Sequence, residues 1–194
     1  GRIANRIKTT EVRKSIPKLP VPFRCYIYCT KGGELLYRNK HTGNIILTSR
    51  RYRKALLRNF DEELNGKVIG EFVCDYINEW DIDPQTKKYF MTSEELNETC
   101  LSYDQLHKYG KDKILHGWHI SNLVIYDKPK ELSEFITICP EWEKEYFDTK
   151  CLGCKYYFSN CADMQYECTV EGEKPLTRPP QSWCYVEGKE DEGK

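Results

Sequence analysis

Long apolar runs are missing from this sequence of 194 residues. No stretch of about 18 apolar residues occurs, so no membrane-spanning helix is expected. No apolar leader opens it, which argues against a secretory signal. Acidic residues are scarce in one half only. Residues 1–60 hold 15 Lys/Arg against Glu11 and Glu34, a net of +13. Residues 61–194 hold 15 Lys/Arg and 28 Asp/Glu, a net of −13. A basic half is the usual footprint of a phosphate-bearing partner. The other reading is that the two halves neutralise each other across the fold. Disorder is excluded by the 13% of aromatic residues, and the fourteen Tyr and four Trp supply both core volume and stacking faces for bases. Ten Cys without a secretory leader point to a reducing, cytoplasmic setting, with thiols or metal rather than disulfides.

The length suits one domain, expected over residues 2–194. Residues 2–7 read as the last turns of a helix, and 8–13 as a strand. Pro17, Pro20 and Pro22 make a loop. Phe23–Thr30, Lys67–Asp75 and Gly117–Tyr126 are rich in branched and aromatic residues and read as strands, as does Ser182–Glu187. Residues 34–66 form a basic insertion. Within it Leu35–Tyr37 and Ile45–Leu47 flank a turn at His41–Asn44, which predicts a hairpin. Arg50, Arg51, Arg53, Lys54 and Arg58 follow as a short helix with a cationic face, suited to phosphate contact or simply solvated. Thr92 with Glu95, and Ser102 with Gln105, are capping-box patterns that open two short helices, and Pro129 opens a helical turn through Phe135. Strands with short helices between them predict an α+β fold built on a small barrel.

The run Asn5-Arg6-Ile7-Lys8-Thr9-Thr10-Glu11-Val12-Arg13 resembles the signature of the ASCH family, in which Gly-x-Lys-x-x-Thr/Glu-x-Arg joins the first helix to a strand. Asn5 or Arg6 stands here where a Gly is usual. PFRCYIYCTKG, GKVIGEFVCD, HGWHISNLVIYDKPKELSEF and RPPQSWCYVE are similar to later strands of that family, in a form associated with phage and prophage proteins. The resemblance implies a PUA-like β-barrel and a nucleic-acid or modified-nucleobase ligand. Some small relatives are amidohydrolases on N4-acylated cytidine, with a Lys, a Thr and a Glu at the barrel mouth. Lys8 matches the Lys, Glu71 matches the Glu, and Glu11 occupies the Thr position. A carboxylate replaces a hydroxyl poorly as nucleophile, so slow or no amide hydrolysis is expected.

Glu71 interrupts the apolar run Val68–Val73 and needs a partner or a role. Lys8 or Arg13 is the expected partner, with Lys8 and Glu71 converging on one pocket. Lys8, Glu11 and Glu71 are the catalytic set if the chain is an enzyme. As a ligand site, Lys8, Glu11, Arg13 and Glu71 are joined by Trp118, His119, Gln181 and Trp183, whose rings and amide suit a base. The alternative is a Lys8–Glu11–Glu71–Arg13 cluster that braces strands, with the Trp residues in the core. Three function classes remain: an RNA- or nucleobase-binding module, a small amidohydrolase, and a phage accessory protein that binds a host protein.

A Cys-rich insertion spans 148–175. Cys151-x2-Cys154-x6-Cys161-x6-Cys168 offers four thiolates to a tetrahedral zinc. Reduced loop cysteines are the alternative. Cys25, Cys29, Cys74 and Cys139 sit in apolar runs and read as core. Metal analysis of the purified protein is expected to give about one zinc per chain, with a lower melting temperature after chelation. A metal-free protein whose melting ignores the chelator contradicts the zinc reading.

Overall fold

A computed structural model of the chain describes residues 1–32, 34–39, 41–49, 52, 60–137, 175–180, 184 and 186–188. The chain divides into two compact units, Gly1–Pro129 and Lys130–Lys194. In chain order the strands are β1 (Thr10–Arg13), β2 (Phe23–Tyr28), β3 (Glu34–Asn39), β4 (Ile45–Ser49), β5 (Phe60–Glu63), β6 (Lys67–Cys74), β7 (Ile77–Trp80), β8 (Leu115–His119), β9 (Ser121–Glu131), β10 (Phe135–Thr137) and β11 (Val186–Gly188). Two short helices, α1 (Ser93–Thr99) and α2 (Tyr103–Gly110), lie between β7 and β8. The described strands form small sheets rather than one closed ladder: β1–β8–β7, β2–β6–β9 and β4–β3–β5, with β10–β11 in the second unit.

Both helices start where their capping boxes place them. Thr92 and Ser102 accept from the backbone N–H of Glu95 and Gln105, whose side chains return to the cap N–H. The two helices belong to the core that covers one face of the first sheet. Val12, Trp80 and Leu115 pack there with Leu106 and Tyr89, and full burial of a side chain such as Leu106 contributes about 1.5–3 kcal/mol. Trp80 Nε1 donates to Glu95 Oε1 at 3.0 Å, while Glu95 Oε2 caps α1. The cap therefore also satisfies a buried indole.

The third sheet contains the expected hairpin. β3 and β4 pair antiparallel from Glu34↔Ser49 to Arg38↔Ile45, and Gly43 supplies the positive φ that the turn needs. Cys29, Ile45, Leu64 and Ile69 form its core contact. In the second unit β10 pairs antiparallel with β11, and the N–H of Leu176 donates to the buried Phe135 carbonyl.

Four expectations change. Residues 2–6 are turns, not a helix end, because Arg6 enters the left-handed region at φ 58°. The strand expected over 117–126 divides at Ile120, and its halves join different sheets. β7 fills the gap left by the four-residue stretch Ile77–Trp80, too short to read as a strand from sequence. β9 runs through Pro129, so the helical turn waits until Leu132–Glu134.

Gly117 lies mid-β8, where an added Cβ would overlap the buried Trp80 ring and crowd the Thr10 methyl. Gly117→Ala is expected to destabilise the first unit by about 1–3 kcal/mol, the usual cost of overpacking. Chemical denaturation checks this, and an unchanged midpoint contradicts the packing described.

Candidate functional site

Period-two alternation decides which side chains meet. On β1, Thr10 and Val12 are buried against the helix side, so Glu11 and Arg13 take the other face. Their cross-strand partners are Trp118 and His116 on β8. On β2 and β6, Phe23 pairs with Cys74 and Cys25 with Phe72, which places these four on one face. Phe23 meets Trp118 edge to face, with ring centroids 5.4 Å apart. The Glu11–Trp118 face of the first sheet therefore packs against the Phe23–Phe72 face of the second.

Between these faces sits a charged triad. Lys8 Nζ is 2.7 Å from Glu11 Oε2, and Arg13 Nη2 is 3.1 Å from Glu11 Oε1. Lys8 precedes β1, so strand alternation does not bind it, and its side chain turns to Glu11. The three side chains are only 15%, 17% and 28% exposed for Lys8, Glu11 and Arg13. Arg13 also lies over the Trp118 ring at 6.0 Å. Its Nε is buried and has no hydrogen-bond partner, and the same holds for Nδ1 of its neighbour His116. Glu79 comes only within 3.7 Å of that nitrogen. A buried donor without an acceptor costs about 1–3 kcal/mol, and a ligand oxygen would recover it. Cys25 lines the same space. Burial pushes its thiol up to about 12, the Cys74 thiol adds to the rise, and Arg13 opposes it. The thiol stays protonated and does not compete for the cations.

Glu71 belongs elsewhere. It pairs with Tyr26, so it shares the opposite face of the second sheet. There Tyr126 donates its hydroxyl to Glu71 Oε2 at 2.6 Å, and Arg24 Nε lies 3.6 Å from Oε1. The expected Lys8–Glu71 pair is therefore replaced by Lys8–Glu11 and Arg24–Glu71. The bracing cluster forms as Lys8–Glu11–Arg13, without Glu71. Neither Arg24 nor Tyr126 was singled out from sequence, although the alternation Arg24-x-Tyr26 opposite Glu71 carries the signal.

Trp118 and His119 also part, because adjacent strand residues face opposite ways. Trp118 is buried against Phe23 as a wall of the triad. His119 Nδ1 bonds Asp75 Oδ1 at 2.6 Å, and its ring stacks on Tyr76 at 4.3 Å. The buried Thr10 hydroxyl donates to Glu98 on α1. Cys29 and Cys74 are buried as expected, and Cys25 is half-buried. Gln181 and Trp183, the cationic run Arg50, Arg51, Arg53, Lys54 and Arg58, and the thiols Cys151, Cys154, Cys161 and Cys168 lie outside the described residues, as does Cys139.

The hydrogen bond from His119 holds the Asp75 carboxyl below its ordinary range. A depressed carboxylate contributes stability above its unfolded pKa of about 3.9 and loses it as pH falls through the folded value. The melting difference between wild type and Asp75→Asn is expected to be largest above about pH 4 and to shrink in acid. A difference that does not change with pH contradicts the pair.

Comparison with protein-family models, with curated proteins and with solved structures found no match for this chain.

Proposed function

We propose that this chain is a nucleobase-binding module of the ASCH kind, with a PUA-like arrangement of its sheets and its ligand held by the Lys8–Glu11–Arg13 triad. The observation that carries the reading is the buried Arg13 Nε, which has no acceptor beside a half-buried carboxylate shared by two cations. Lys8 and Arg13 donate on either side of the accepting Glu11. The complementary edge has acceptor, donor and acceptor in turn, as the imide edge of a uracil-type base does. Buried hydrogen bonds to charged groups contribute about 1.5–3 kcal/mol each, enough to select one base edge over another. Phe23 and Trp118 close the site on its apolar side and exclude water.

The hydrolase reading lacks a nucleophile among the matched positions. Glu11 occupies the Thr position and is engaged by both cations. Lys8 and Glu71, the other two matched residues, do not share a partner. N4-acetylcytidine is therefore expected to remain intact when incubated with the protein. RNA remains a partner proposed from the charge pattern, a host protein remains one proposed from the resemblance to phage proteins, and structural zinc remains proposed from the cysteine spacing.

Calorimetric titration with uridine and cytidine tests the site. Uridine is expected to bind more tightly, and Glu11→Gln is expected to weaken it by about tenfold or more, the loss of roughly one charged hydrogen bond. Equal binding of the two nucleosides, or full uridine affinity in a folded Glu11→Gln variant, removes the triad from the function.

A further inference from the structure

The outer face of the β2–β6–β9 sheet carries a second built constellation that the triad does not use. Alternation puts Arg24 and Tyr26 of β2 on this face, opposite Val73 and Glu71 of β6. From β9 it adds Val124, Tyr126 and Lys128, because Tyr126 reaches Glu71. One polar chain links all three strands. Arg24 lies beside the Tyr26 phenol and pairs with Glu71, and Glu71 accepts from Tyr126. The Tyr126 ring is thus anchored at its hydroxyl end. Burial pushes the Tyr126 phenol up, and the bond to Glu71 adds to the rise, so it stays neutral.

We infer that this face is a stacking platform for a single-stranded nucleic acid. The inference extends the nucleobase reading and rests on it. Base stacking needs flat side chains held at fixed positions with cations beside them. Tyr26 and Tyr126 supply the flat faces from strands that flank β6. The half-exposed Val124 extends the apolar surface beside Tyr126 on β9. Arg24, with 61% of its side chain exposed, and the exposed Lys128 lie where phosphates would run. Glu71 is the one carboxylate that alternation places here among the described residues, and Arg24 neutralises it. β2 also belongs to the basic half of the sequence, which has a net charge of +13 over residues 1–60. A duplex hides its base faces, so the platform selects single strands.

The test uses the full chain and a short fluorescein-labelled oligoadenylate, whose bases lack the imide edge and so do not report on the triad. Fluorescence anisotropy across a salt series gives affinity and slope. Tyr26→Ala with Tyr126→Ala is expected to weaken binding at least about tenfold. The Tyr→Phe pair keeps the rings and is expected to keep binding near wild type. Lys128→Gln is expected to reduce the salt slope by about 0.7, the value for one phosphate on a single strand. Uridine affinity is expected to be unchanged in the Tyr→Ala pair, which also shows that the fold survives. Absent oligoadenylate binding, a preference for the duplex, or full affinity in the Tyr→Ala pair each overturns the platform. Uridine titration decides the triad separately.

Discussion

One carboxylate organises the space between the first two sheets. Glu11 faces the second sheet because Thr10 and Val12 are taken up by the helix-side core. A carboxylate in that position, only 17% exposed, requires compensation. Lys8 and Arg13 provide it from either side. Their charge exceeds what Glu11 neutralises, and Arg13 Nε still lacks an acceptor. The Phe23–Trp118 contact seals the apolar side of the same space. Core packing and charge compensation both follow from the direction in which β1 presents residue 11.

The second sheet divides its roles in the same way. Its inner face gives Phe23, Cys25, Phe72 and Cys74 to the contact with Trp118 and the triad. Its outer face gives Arg24, Glu71 and Tyr126 to a row held by one ion pair and one hydrogen bond. Period two keeps the acid of each face away from the other. Glu11 thus pairs with Lys8 and Arg13, and Glu71 with Arg24, rather than the two acids meeting in one pocket.

Local chemistry was the part of the fold legible in the sequence. The capping boxes at Thr92 and Ser102 and the hairpin around Gly43 involve residues within a few positions of each other, and all three form as expected. The strands at β2 and β6 announce themselves by branched and aromatic runs. Choices that depend on tertiary partners were not legible. Nothing local marks Ile120 as the point where one apolar run changes sheets, or lifts Ile77–Trp80 above a short polar linker. Of the candidate site, the triad Lys8, Glu11 and Arg13 was legible because its members are close in sequence. The partner of Glu71 was not, since Tyr126 lies 55 positions away and only strand pairing brings it near.

The free donor on Arg13 is the direct probe of this account. Side-chain nitrogen NMR can follow the Arg13 Nε–H resonance, assigned through an Arg13→Lys variant, during titration with uridine. This resonance is expected to move downfield and to saturate together with binding, as a donor without an acceptor gains a carbonyl. A resonance that stays in place while uridine binds would contradict the placement of the ligand at the Lys8–Glu11–Arg13 triad.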